Sequence, residues 1–352
     1  MTAAEICSLR LRSQALEAPG LSSPAGVVAH MGAMQAQDHD MALWAVGIRL
    51  PGSSETLVQQ ALDEGSILRT HVLRPTWHLV HAGDIRWMLR LSAPHIRTGI
   101  GSMLRKLELD EATFLKSNEI LGKALENGLH LTREELALQL DQAGIRLNNL
   151  RLLHLLFRAE LDGLICSGIP RGKNHTYALL DLRVPTQTPL SREEALARLC
   201  LRYFGSHGPA TLADFSWWSG LPVTEARKAL QSVRRQLHEI VFENESYFLA
   251  ETGTDTKNVP GNVRLLPAFD EYLIAYRSRG LFLPEAHTRE VVTENGIFRP
   301  LILYGGQAHG TWKRTRKKTC TDMEYHFFAP KYKLKKSLLK PAEEAYLSFL
   351  HP

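Results

Sequence analysis

The sequence has no pair of cysteines close enough to suggest a metal knuckle or a redox couple. Cys7, Cys166, Cys200 and Cys320 are scattered along the chain. That argues against a zinc site and a disulfide framework, and it points to a reducing cytoplasm. Long apolar runs are missing too: the N-terminus shows no export-type h-region, and no stretch approaches a membrane span. A soluble, cytoplasmic protein that is not exported and has no membrane partner is expected. Metal-ligand spacing is also absent. Asp38, His39 and Asp40 are consecutive, and consecutive residues rarely converge on one ion, so neither a metal nor a cofactor is expected. Charge of one sign is scarce overall: the 352 residues carry a formal +5, with 44% hydrophobic and 22% charged residues. That is ordinary for a globular chain with room for two or three domains. The distribution is uneven, however. Residues 301–352 carry a net +6 and the remainder −1, which suggests a polyanionic partner or, more plainly, a solvated sheet edge.

What is present is a recurring pattern of helices followed by a strand pair. Helices are expected at 5–16, 24–34, 55–63 and 84–96, with strands at 67–73 and 76–80 around Arg74-Pro75. A second round has helices at 111–126, 132–142 and 147–161 and strands at 164–167 and 176–180. Thr132 and Glu135 form a capping box, and Arg171-Gly172-Lys173-Asn174-His175 looks like a wing tip. After the Pro/Thr linker at 184–189 comes a third round, with helices at 191–204, 211–219 and 222–233 and strands at 239–242 and 247–251. Short strands at 301–304, 309–314 and 325–328 and a helix at 343–350 close the chain. The expected fold is α+β, with three tandem winged helix-turn-helix units (1–105, 106–183, 190–255) and a small C-terminal β-barrel (256–352).

The most informative stretch is Gln35-Ala36-Gln37-Asp38-His39-Asp40. Val27, Val28, Met31 and Met34 recur at helical spacing, so 24–34 reads as a helix with one buried stripe. Gln35 falls on that stripe. In a regular helix Gln37 would point about 200° further round. Two glutamines serving one site therefore require the helix to unwind, and the Asp-His-Asp run, poor in helix formers, fits that. Buried amides need hydrogen-bond partners. The stretch is either a helix end whose glutamines cap carbonyls or a site whose amides hold a water and a nucleic-acid base. Lys313, Arg314, Arg316, Lys317 and Lys318 after Trp312 are the densest phosphate-contact candidates, with Arg171 and Lys173 next. Trp217-Trp218 could stack bases, although aromatics on such a helix are more often core.

Three stretches together carry a resemblance. They are Gln35-Ala36-Gln37, the strand pair from Arg69-Thr70-His71 through Arg74-Pro75-Thr76-Trp77-His78, and Leu265-Leu266-Pro267-Ala268-Phe269-Asp270-Glu271-Tyr272. With Arg299-Pro300 and Gly310-Thr311-Trp312-Lys313-Arg314 beyond them, the chain resembles the bacterial winged-helix DNA glycosylases of the AlkZ and YcaQ type over almost its whole length. Pro75 and Trp77 depart from the small and aliphatic residues usual there. The Gln-hydrophobic-Gln motif falls on the AlkZ-like side, since YcaQ-like members carry Gln-hydrophobic-Asp. The resemblance implies an enzyme on double-stranded DNA that excises bulky N7-alkylguanines or crosslinks; a monomer that needs no cofactor is expected. Gln35 and Gln37 would be catalytic, with Asp38, His39 and His78 as secondary candidates. The alternative is a non-catalytic winged-helix regulator, which would prefer one sequence in undamaged DNA.

Overall fold

Polar caps open most of the helices, as the sequence suggests. The computed structural model describes residues 1–17, 20–250, 261–317 and 320–351. Ala18, Pro19, Glu251, the boundary expected near 255 and Lys318 lie outside them. Contacts divide the chain into two units, Met1–Gln59 with Leu196–Pro352, and Gln60–Ala195.

In the first unit α1 (Ala3–Ser13) opens on a capping box of Thr2 and Glu5. α2 (Pro24–Met31) has Ser23 as its cap and proline at the first turn. It stops three residues short of the expected end. Gly32 has φ +80°, and a Cβ there would lie 2.9 Å from Cγ of Arg202 and 3.5 Å from Cη2 of Trp218. Only glycine combines that backbone with that close approach. The chain then runs extended as β1 (Ala33–Gln35), with all three residues buried. Met34 and Gln35 thus sit on a strand, not on the apolar stripe of a helix. Burial mimicked helical periodicity because both sides of this short strand are covered. α3 (His39–Gly47) starts on Asp38, whose carboxylate accepts from the Met41 amide. It is followed by α4 (Glu55–Asp63).

The second unit opens with the antiparallel hairpin β2 (Ile67–His71) and β3 (Trp77–His81), paired from Ile67↔His81 to His71↔Trp77. α5 (Ile85–Lys106) runs ten residues beyond the expected end, through Pro94. Its apolar stripe continues past the proline, with Ala93 and Ile96 packed on Phe157 and Leu161 and with Ile100 beside them. That burial outweighs one lost helical hydrogen bond. α6 (Glu111–Ala124), β4 (Leu131–Thr132), α7 (Arg133–Gln142) and α8 (Asn149–Leu161) follow. β5 (Ile165–Ser167), β6 (Thr176–Leu179) and α9 (Leu180–Arg183) complete the unit, with sheet order β4-β6-β5. Phe114, Leu121, Leu136, Leu155 and Ile165 lie in its core.

The chain returns to the first unit through α10 (Arg192–His207), α11 (Leu212–Ser219) and α12 (Val223–Val233). α11 ends on left-handed Gly220. A hairpin, β7 (His238–Phe242) and β8 (Glu245–Leu249), turns through Glu243 and Asn244, both at positive φ. Next come β9 (Val263–Leu266), α13 (Glu271–Ile274), α14 (Thr288–Val291), β10 (Leu301–Tyr304), β11 (Gln307–Arg316), β12 (Thr321–Phe327) and α15 (Lys336–Leu350). The last four strands form an antiparallel sheet in the order β12-β11-β10-β9. Its edge strands do not pair, so the expected β-barrel is an open sheet. Four strands are too few to curl round and fill an interior, and α15 covers β9 instead. The centroids of Tyr346 and Phe349 on α15 lie 5.0 and 5.1 Å from that of Trp44 on α3. Among the described residues no helix is long and apolar enough to cross a membrane.

Candidate active site

β1 ends by delivering Gln35 to the interior at 7% exposure; beyond it Ala36 is fully buried and Gln37 reaches the surface. The anchor is distant in sequence: the Gln35 amide donates to Oε1 of Glu271, at 2.7 Å. Glu271 is itself 1% exposed, and its other oxygen accepts from the indole of Trp218 at 3.0 Å. His207 Nε2 lies 3.5 Å from that same oxygen. A buried carboxylate is costly unless hydrogen-bonded, so this one ties β1, α11 and α13 into a single arrangement.

Asp270, the preceding residue, explains why Glu271 points there. It caps α13 by accepting from the Tyr272 amide, and it receives both arms of Arg49 at 2.8 and 2.9 Å. Arg49 also donates to the Gln14 carbonyl, the Gln14 side chain and the Ala45 carbonyl. All five guanidinium N–H groups are thereby used in a fully buried position. Gln14 donates onward to the Tyr276 hydroxyl, which donates to the His207 carbonyl. Arg10 stands over the Tyr276 ring at 3.7 Å and donates to the Pro209 carbonyl. Sequence reasoning quoted Asp270 and Glu271 without assigning them roles, and it passed over Arg10, Gln14, Arg49 and His207. The available signal was Arg49, a cation closing the otherwise apolar run Met41-Ala42-Leu43-Trp44-Ala45-Val46.

The secondary candidates have local partners. Asp38 caps α3, and exposed His39 lies 3.1 Å from the Gln59 side-chain oxygen. Asp40 pairs with Arg314 at 3.0 Å and with Arg316 at 3.6 Å, and Arg316 makes a two-pronged contact with Glu55. The Arg314 side chain is only 10% exposed, whereas Lys313 is 69% exposed and pairs with Glu324. The motif and this part of the basic cluster are therefore brought together by β11 reaching the start of α3. His78, Arg171 and Lys173 belong to the second unit. His78 is buried, with Nδ1 2.8 Å from the Thr76 carbonyl. Arg171 pairs with Glu135, and Lys173 is exposed in the turn before β6. Among the described residues no group of three or more His, Cys, Asp or Glu could hold a metal ion.

Burial pushes the imidazoles of His207 and His30 below the ordinary histidine range. Both are neutral in the fold at pH 7, whereas in the unfolded chain they titrate near 6.5. Below that value the unfolded state binds more protons, so stability falls as the pH falls. The loss reaches at most about 1.4 kcal/mol per pH unit for each histidine. Melting curves between pH 7.5 and 5 should show a declining midpoint, and His207→Gln should flatten the decline. A midpoint level across that range would remove the two buried histidines as its cause.

The model of the family described as "DNA glycosylase AlkZ-like" matches residues 28–349. An "Interstrand DNA cross-link repair glycosylase" of Streptomyces sahachiroi is 26% identical over 335 residues, covering 88% of this chain and 87% of the relative. The solved structure of the Streptomyces sahachiroi DNA glycosylase AlkZ superposes with a TM-score of 0.85 at 21% identity, over 99% of this chain and 96% of that one. With a match running from Val28 in α2, just before the Gln-Ala-Gln stretch, to Phe349 in α15, this chain belongs to the AlkZ-like family of DNA glycosylases.

Proposed function

We propose that this enzyme is a monofunctional glycosylase that releases bulky N7-alkylguanines, or the ends of crosslinks joined through them, from double-stranded DNA. The observation that carries this is the Gln35–Gln37 stretch, clamped at the end of β1 through the Gln35 backbone by Glu271 and opening to the surface at Gln37. A glutamine amide takes no proton near neutral pH, but it orients a water and solvates a developing sugar cation. N7-alkylation makes guanine a cationic leaving group, which lowers the need for an acid. Positioning and electrostatics then supply most of the catalysis. Unwinding also removes the difficulty of the spacing, because β1 ends at Gln35 and the chain bends at Gln37, free of the offset of about 200° that a regular helix would impose. The name of the Streptomyces sahachiroi relative, an interstrand cross-link repair glycosylase, supports crosslinks as substrates. The helix-and-hairpin rounds support tandem winged-helix units at 1–105, 106–183 and 190–255, with the C-terminal region at 256–352. Incubating the protein with a panel of alkylated DNAs and detecting free base tests the assignment. No release from any N7-alkylguanine substrate would overturn it.

Duplex contacts are proposed for Lys313 and Arg316 and, in the second unit, for Arg171 and Lys173. Arg314 acts chiefly by holding Asp40. Neutralising any one phosphate contact should weaken binding to all sequences and reduce the salt slope by roughly one unit. A Lys313→Gln/Arg316→Gln protein that binds with unaltered salt dependence would return these two to surface ion pairing.

Two further outcomes follow from amide catalysis. Single-turnover release should be nearly flat from about pH 5.5 to 8.5, because no essential group titrates there. A base at His39 or His78 would instead give about a tenfold fall per unit on the acid side. Such a limb, if lost in His39→Gln or Asp38→Asn, would move the catalytic role to that side chain. The product should be an intact abasic site, since the motif holds no lysine to form a Schiff base. A borohydride-trapped protein–DNA adduct would contradict this.

A further inference from the structure

Trp217 and Trp218 are neighbours on α11 with opposite fates. Trp218 is fully buried against Glu271, whereas Trp217 is 42% exposed. A single exposed tryptophan is ordinary. This one is tethered, because its indole N–H donates to the Ile274 carbonyl at 2.9 Å at the end of α13. Arg279 stands beside it, with its guanidinium carbon 5.8 Å from the Trp217 ring centre and 5.2 Å from that of Phe298. Arg279 is itself held, since its Nε donates to the Leu273 carbonyl at 2.7 Å. Phe269 packs at 6.0 Å from Phe298 and has φ +59°, a strained value for a bulky residue. Phe269 immediately precedes the Asp270-Glu271 pair that anchors the motif. The result is a pre-ordered ring with a cation at its side, and its neighbour Trp218 is joined through Glu271 to the Gln35 amide.

We propose that Trp217, flanked by Arg279, is a stacking platform for an unpaired nucleobase of DNA engaged at the Gln35–Gln37 site. A base inside an intact duplex has both faces covered by its neighbours. Only a base that has lost its stack can offer a face to a surface ring. Every base has such a face, and a guanidinium beside the ring adds attraction to the base and its phosphate. Tethering means that little ordering entropy is lost when the base arrives. The inference rests on the reading of the site as DNA-processing, but its test needs no excisable lesion.

The experiment compares two duplexes of one sequence, the first fully paired, the second carrying 2-aminopurine opposite a tetrahydrofuran abasic analogue. Trp217→Ala should weaken binding to the second by about tenfold and to the first by less than about twofold. Trp217→Phe lacks the N–H but keeps a ring, so it should retain most of the difference. Quenching of 2-aminopurine should follow the ring and not the hydrogen bond. Equal losses on both duplexes, no loss on either, or Trp217→Phe as weak as Trp217→Ala would each overturn the proposal. If Trp217→Ala loses its fold, Trp217→Leu carries the same comparison. Failure here leaves the base-release assay untouched, and failure of base release leaves this binding measurement interpretable.

Discussion

Gln37→Ala should slow base release on the order of 10²- to 10³-fold while leaving affinity for the same DNA nearly unchanged. The split follows from where the side chain sits. Gln37 is exposed, so its truncation opens no cavity. On the proposed mechanism, what is lost is an amide that faces developing charge and the attacking water, and such interactions strengthen toward the transition state. Gln35→Ala should be comparably slow, for a related reason. Glu271 holds the Gln35 backbone N–H, so the strand stays anchored when the side chain is cut back. Gln35 is buried, however, so this variant should also lose some stability, and its rate must be read at a temperature where it is folded. Single-turnover release from an N7-alkylguanine duplex, with affinity measured in parallel, separates the two effects. Full activity in both variants would remove the glutamines from the mechanism. Loss of binding in proportion to rate would make Gln37 a substrate contact and not a transition-state one.

How much of this could be read beforehand depends on whether the information is local. Capping is local, so the Thr132–Glu135 box was legible and formed as expected; Ser191 and Glu194 make the same reciprocal contacts. The 67–71 and 77–81 strands announced themselves by β-branched residues around Arg74-Pro75, and they pair in simple register. β1 was not legible. Val27, Val28, Met31 and Met34 are all fully buried, and burial of both faces of a three-residue strand looks like a helical stripe. The break is made by Gly32, whose need for glycine arises from Arg202 and Trp218, far along the chain. The open sheet was missed because strand count and closure are global properties. The anchor of the site was missed for the same reason. Arg49 and Asp270 lie 221 residues apart, and nothing in either neighbourhood says that the other completes it.

That pair carries the largest stability effect. Asp270→Ala should destabilise the first unit by about 3–5 kcal/mol, because it leaves a guanidinium in the interior without its counter-charge. Both side chains are fully buried, so water cannot readily take over the lost bonds. The same substitution removes the cap of α13, worth about 1 kcal/mol more. Asp270→Asn should cost less, since the amide oxygen can still accept one N–H, but it turns two donors toward Arg49 and loses the charge. Arg49→Lys should fail in a different way. An ammonium has three donors and no fork, so it cannot serve Asp270, the two groups of Gln14 and Ala45 together. Urea unfolding of each variant gives the loss directly. A functional signature should accompany it. Glu271 is placed by the helix that Asp270 caps, so in mild conditions, where the Asp270→Asn protein is folded, its base release should fall further than its DNA affinity. An unfolding free energy within about 1 kcal/mol of wild type for Asp270→Ala would mean that Arg49 finds other acceptors. The buried pair would then not be what aims Glu271 at the Gln35 amide.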